Sequence, residues 1–236
     1  MSHAAVLRTA PRPVKRSLLV AVAVTATLVA PGHRTAGAPG ASSGPAWSRA
    51  AYAQALPGAH RYSVVTDKSE ARYRVREQLV GLEFPNDAVG ITDAITGEIV
   101  LDEQGRVRPG DSKVTVDLRE LKSDRDRRDN YLRRNTLETD RYPTVVFAPV
   151  EVRGLRLPLP ASGTATWALV GDLTVRDRTQ RVTWDATATF SGPEVSLKAR
   201  TAFRFEDFGL RVPKVSVVLS VADDIRLEVD LLLHRS

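Results

Sequence analysis

The segment RVTWDATATF, Arg181 to Phe190, alternates without a break: Val182, Trp184, Ala186, Ala188 and Phe190 fall on one face, Thr183, Asp185, Thr187 and Thr189 on the other. A period of two specifies an extended strand with one dry and one wet face and is incompatible with a helix. The rule recurs along the chain. ATWALVGDLTV aligns Ala165, Trp167, Leu169, Gly171, Leu173 and Val175, and EVSLKARTAFRF aligns Val195, Leu197, Ala199, Thr201, Phe203 and Phe205. DIRLEVDLLL does the same with Ile225, Leu227, Val229, Leu231 and Leu233, KVTVDL with Val114, Val116 and Leu118, and ARYRVRE sets Ala71, Tyr73 and Val75 against Arg72, Arg74 and Arg76. ITGEIVL and TVVFAPVEV follow the scheme more weakly. Parallel α/β sheets need strands that are apolar on both faces, so an all-β antiparallel barrel or sandwich is left. About eight strands suffice to close a barrel. The tight polar run RDRTQ after Val175 predicts a hairpin that turns Trp167 and Trp184 inward. Small inward residues (Ala165, Gly171, Ala186, Ala188, Ala199) are expected to leave room along the axis.

Charge excludes one class of partner. The formal net charge is +6, but its whole excess lies before residue 61, in Arg8, Arg12, Lys15, Arg16, Arg34 and Arg49, where no acid occurs. From Arg61 onward the remaining basic residues, 34 − 6 = 28, equal the 28 acids, so no broad basic field for nucleic acid exists there. The basic RTAPRPVKR precedes the apolar run Ser17–Ala30, which is short against the ~20 residues of a bilayer span. Residues 1–38 therefore read as an export signal, with an uncleaved anchor through residues 17–30 as the alternative. Residues 39–60, rich in Pro, Gly, Ala and Ser, are expected to be a flexible spacer, and residues 61–236 one folded domain in the periplasm or outside the cell. The chain has no Cys, so neither disulfides nor a lipid-modified Cys are available.

Catalysis lacks its usual groups. His3, His33 and His60 precede the domain and His234 ends it, and there is no Gly-x-Ser-x-Gly elbow or phosphate-binding glycine loop. Adjacent carboxylates, Glu206 with Asp207 and Asp223 with Asp224, would point to opposite faces of a strand and are assigned to turns. No catalytic residue, metal or cofactor is expected.

SDRDRRDNYLRRNTLETDRYP, Ser123 to Pro143, is the most charged stretch, with six Arg against five acids. Ser123 and Asp126 have the spacing of a capping-box variant, and Asp124–Arg128 and Asp129–Arg133 are spaced i to i+4. A short self-neutralising helix bracing one barrel end through Tyr131, Leu132 and Leu137 is expected. This run, read on to Phe147, resembles the signature of the YceI-like polyisoprenoid-binding family through Arg128, Asp129, Leu132, Tyr142, Pro143 and Phe147. GDLTVRDRTQRV resembles its Gly-x-Leu-Thr hairpin at Gly171, Leu173, Thr174, Thr179 and Val182, and FRFEDFGL its Asp-Phe-Gly element at Asp207, Phe208 and Gly209. This chain departs from the family where Lys68 precedes Ser69, where Glu77 ends the strand, and where Asp177 replaces a turn Gly.

The resemblance implies a lipocalin-like antiparallel β-barrel with one helical excursion, exported to the envelope, holding an isoprenoid lipid of polyprenyl or quinone type without catalysis. Inward residues Tyr73, Val75, Trp167, Leu169, Trp184, Phe203 and Phe205 are the expected ligand contacts. The alternative is an envelope interaction or stress-protection module that uses the barrel as a scaffold. Its candidate surface is Gly209–Asp224, GLRVPKVSVVLSVADD, which reads either as a further strand or as an apolar lip suited to peripheral membrane contact. The oligomeric state is not written in the sequence.

Overall fold

A computed structural model describes residues 58–236. The expected export signal or anchor and nearly all of the expected spacer lie outside the described residues. Eleven strands follow in order: β1 His60–Val64, β2 Glu70–Leu79, β3 Asn86–Thr92, β4 Ile95–Leu101, β5 Lys113–Asp117, β6 Lys122–Ser123, β7 Thr144–Arg153, β8 Ser162–Val175, β9 Arg178–Ser191, β10 Glu194–Arg204 and β11 Val218–Arg235. Every pairing is antiparallel. The ring β1-β4-β5-β7-β8-β9-β10-β11 returns to β1 and closes an eight-stranded, lipocalin-like barrel.

Strand β11 carries the closure because it is long enough to use one edge twice. It pairs with β1 through Leu233, His234 and Arg235, and with β2 between Val218 and Asp230. A single 3₁₀ turn, Thr66–Lys68, separates β1 from β2. Ser69 pins this kink by donating to the Val65 carbonyl at 2.8 Å and accepting from the Leu232 amide at 3.1 Å. Beyond the kink, β2, β3 and β6 pair in sequence and extend this corner as a flap. The last pair of β10 is Arg204 with Asp224, so Val218 to Asp223 of β11 run on past it with β2 as their neighbour.

Alternation decides the core as expected. Val182, Trp184, Ala186, Ala188 and Phe190 are buried while the residues between them are exposed. The small inward residues do not all leave space, however. A Cβ on Gly171 would lie 2.5 Å from the Phe147 ring and 2.6 Å from the Ala148 carbonyl oxygen, so this glycine is the seat of Phe147. Gly90 does the same for Tyr73, whose Cε1 lies 2.1 Å from where its Cβ would be.

Strands β8 and β9 meet in the expected hairpin with Arg176 and Asp177 as its two loop residues. Arg176 has φ 57°, the positive value at the first turn position that a type II′ hairpin uses. A side chain is strained there, and this one is fastened on three sides. It pairs with Glu138 at 2.5 Å, donates to the Thr136 carbonyl at 3.3 Å and lies over the Tyr142 ring at 5.5 Å. Glu138 itself has φ 51°, so both members of the pair are held in the left-handed region.

Of the acidic pairs, Glu206 and Asp207 lie in a 3₁₀ turn, Phe205–Phe208, where the Asp207 carboxylate accepts the Arg204 amide at 2.7 Å. Asp223 and Asp224 do not mark a turn. They occupy an irregularity of β11 between the pairs Val221–Glu77 and Ile225–Val75. Gly209–Asp224 is both things the sequence suggested: a loop that becomes strand at Val218, with Val217 and Leu219 exposed and Val221 packed against the core.

Candidate apolar binding site

The inward faces of the barrel enclose a cavity of about 170 Å³. Tyr73, Val75, Leu169, Trp184, Phe203 and Phe205 line it. Trp167, the seventh expected contact, also faces inward but borders a separate void of about 40 Å³ with Phe190, Leu101 and Leu233. Leu169, Leu197 and Ile99 border both spaces and form the partition between them. The sequence could not place this partition, because both sides obey the same alternation.

Polar groups on the main cavity are few. Arg72 and Glu228 border it, but their charges pair with each other and with Glu70, Asp230 and Arg74. Two other groups have no such outlet. Trp184 is 6% exposed, its ring meets Phe147 edge-on at 5.8 Å, and its Nε1 has no hydrogen-bond partner in the protein. The Tyr73 hydroxyl is likewise buried without a partner. Burial raises the Tyr73 phenol well above its ordinary pKa, further helped by Asp129 and Glu77 and opposed by Arg128, so it stays protonated.

The helical excursion roofs the cavity. It consists of α1, Asp126–Tyr131, running into one π turn over Leu132–Thr136, and it presents Leu132, Thr136 and Leu137 to the cavity beside Leu118 and Leu121. Its attachments differ from those expected. Ser123 does not cap α1; the N-cap is Arg125 without a side-chain bond. Ser123 instead belongs to β6, and its amide and hydroxyl donate to the Asp129 carboxylate at 3.0 and 2.6 Å. Asp129 is therefore not paired with Arg133, which turns to the Leu121 carbonyl at 3.3 Å. The reason is geometric: helical form begins only at Asp126 and Ser123 is still in β6, so Asp129 reaches back to a strand rather than forward along a helix.

Arg128 does pair with Asp124 as its spacing suggested, but its buried partner is Glu77 of β2 at 2.5 Å. Their side chains are 12% and 8% exposed. Burial opposes the Arg128 charge, yet the two carboxylates outweigh it and the guanidinium pKa is raised. Glu77 was missed as a partner, although it carried a signal: it occupies the inward place after Ala71, Tyr73 and Val75, where alternation calls for an apolar side chain. The other signature residues are structural or line the cavity. Tyr142 stacks under Arg141 and Arg176, the Pro143 carbonyl accepts the Leu118 amide at 2.8 Å, and Phe147 and Leu132 face the cavity.

On the flap beside this roof sits an apolar lip. Val80, Leu82 and Phe84 of the β2–β3 turn, Val217 just before β11 and Leu219 within it are exposed, Phe84 to 72%. The Val80 amide donates to the Val217 carbonyl at 3.0 Å and joins the two segments.

The sequence model of the YceI-like domain matches residues 62–233, from within β1 to within β11. The chain belongs to the YceI-like family. Solved structures share its fold. A polyisoprenoid binding domain from Saccharophagus degradans, implicated in plant cell wall breakdown, aligns with TM-score 0.59 at 11% identity over 74% of this chain and 98% of that one. Burkholderia cenocepacia BcnA aligns with TM-score 0.54 at 16% identity, covering 72% and 98%. The Campylobacter jejuni YCEI protein gives 0.52 at 16% identity, covering 67% and 91%. No curated protein matches the chain. At these identities the likeness is one of architecture.

Proposed function

We propose that this YceI-like domain is an exported, non-catalytic carrier that takes one end of a long isoprenoid lipid, polyprenyl or quinone, into its barrel. The observation that carries the reading is the apolar cavity under a separately fastened roof. Apolar burial alone supplies affinity: one prenyl unit hides ~100 Å², worth about 2.5 kcal/mol before ordering costs. The cavity is close to the ~150 Å³ that accommodates benzene. A long chain therefore exceeds it, and its remainder leaves along Leu121, Leu132 and Leu137 once the roof shifts. The lip lies on the flap to which that roof is tied, which suits contact with a membrane that stores such lipids. Family membership and the polyisoprenoid-binding relative support the choice of ligand. Export to the periplasm or cell exterior rests on residues 1–38, with anchoring through residues 17–30 as the variant form.

The test is native mass spectrometry, with organic extraction, of the protein purified from cells without added ligand. An extractable prenyl lipid or quinone supports the carrier. A clean apo mass that prenyl alcohols and quinones leave unchanged sinks it and favours the scaffold module.

A further inference from the structure

The inner face of β2 runs Ala71, Tyr73, Val75, Glu77, Leu79 and ends beside the lip residue Val80. Val75 borders the main cavity and Leu79 is buried, so Glu77 is the only charged residue on the line from cavity to lip. Arg128 of the roof covers it at 2.5 Å. A buried ion pair at that point interrupts an apolar path, because a hydrocarbon chain lying there would leave both charges without partners.

The two ends of the roof are fastened to bodies of different firmness. Its C-terminal end is tied to the wall: Glu138 pairs with Arg176 of the β8–β9 turn, and the chain then enters β7. Its N-terminal end is tied to the flap, by Arg128 to Glu77 and by β6 to β3 over only two residue pairs. The flap joins the wall through the β2–β11 ladder, whose register shifts twice, between Val218 and Ser220 and between Val221 and Ile225. Glu77 stands opposite Val221, at the edge of the second shift. The β8–β9 ladder has no shift. A ladder broken by irregular register yields more readily than a continuous one, so the flap side of the roof is the side that opens.

Resting on the carrier reading, we infer that the roof is hinged at Glu138–Arg176 and gated at Arg128–Glu77, and that a lipid bilayer receiving the lip opens the gate. Parting the pair bares Val75, Leu79 and Leu132. Water penalises such surface and bilayer hydrocarbon does not, so a bilayer binds the open form better, which is the differential affinity that any shift between two forms requires. The lip suits a bilayer rather than a peptide held in a groove: Val80, Leu82, Phe84, Val217 and Leu219 stand exposed, and none of them lines the cavity or the smaller void. Arg211 and Lys214 ahead of Val217 are offset by Glu83, Asp223 and Asp224, so insertion is apolar and needs no anionic headgroup.

Because the chain has no Cys, paired labels test this on the full chain. Spin labels at Arg127→Cys with Arg76→Cys span the gate, and labels at Asn135→Cys with Asp177→Cys span the hinge; all four positions are exposed. Without cargo, phosphatidylcholine vesicles should raise the long-distance population of the gate pair about tenfold, the response to a tenfold preference for the open form, and leave the hinge pair unchanged. Leu82→Asp with Phe84→Asp should abolish the rise although residues 17–30 are still present. A reducible cross-link across the gate pair should slow delivery of a fluorescent prenyl probe to the vesicles about tenfold and release it on reduction, whereas the same link across the hinge should not. Gate distances that vesicles leave unmoved, a hinge pair that moves as far, or a rise that survives in the lip double variant overturns the gate, and a probe that still loads leaves the carrier standing. A probe that never loads sinks the carrier and the route with it.

Discussion

The barrel on the Trp167 side of the Leu169–Leu197 partition and the barrel on the roof side are held together by different physics. On the Trp167 side, β8 and β9 pair without a slip from Ser162–Ser191 to Ala168–Asp185, and Phe190, Ala188 and Val195 are packed dry behind them. On the roof side, closure depends on polar ties: Arg128 to Glu77, Asp129 to Ser123 and Arg176 to Glu138. Apolar packing is lost only when the whole element leaves, whereas a polar tie can be exchanged for water one group at a time. The proposed carrier needs both, a wall that holds and a cover that can be exchanged.

The largest effect should come from the wall. Phe190→Ala should cost about 3–5 kcal/mol of unfolding free energy, read by urea denaturation. Glu77→Gln leaves Arg128 buried with Asp124 alone and should cost about 2–3 kcal/mol. Asp129→Asn should cost about 1–2 kcal/mol and lower stability more than ligand affinity, because the Asp129 carboxylate braces β6 and does not line the cavity. A roof substitution that matched Phe190→Ala in stability loss would break the contrast. Unchanged stability with lost affinity in Asp129→Asn would instead make the roof part of the ligand grip.

The smallest effect, absent at neutral pH, concerns two phenols. Tyr62 and Tyr73 both have raised pKa values, burial being the leading cause in each; Arg235 opposes the shift at Tyr62. A raised phenol favours the folded state fully below its unfolded value near 10, and that contribution fades as pH climbs from there toward the folded value. Stability should therefore begin to fall above about pH 10. Tyr73→Phe should flatten the fall, and an identical alkaline profile in that variant would deny the phenol this role.

What could be read in the sequence follows the same division. The wall was legible because a strand's inside and outside differ by one residue, so Val182 through Phe190 announce their burial themselves. The roof was legible as a short charged helix but not in its wiring. Arg128 finds Glu77 across 51 positions and Asp129 finds Ser123 across a strand boundary, neither of which is a helical spacing. Helical arithmetic gave Asp129 to Arg133, and the fold took it elsewhere. Glu77, a charge in an apolar place, was the visible trace of a partner yet to be found. The unpaired Trp184 and Tyr73 donors left no trace, since a missing hydrogen bond is a property of the packed state alone.

Strand β11 borders β10, β2 and β1 at once, and its partner β1 is the first of the described strands while β11 is the last. Contacts so distant in sequence are the slow ones to form, since the loop between them must be ordered first. Until Val218–Arg235 has been made, β1, β2 and β10 each present an open edge, and the barrel is a curled sheet with no inside. Biogenesis of this domain is accordingly all or nothing: its newest residues are the ones that turn it from a sticky ribbon into a vessel.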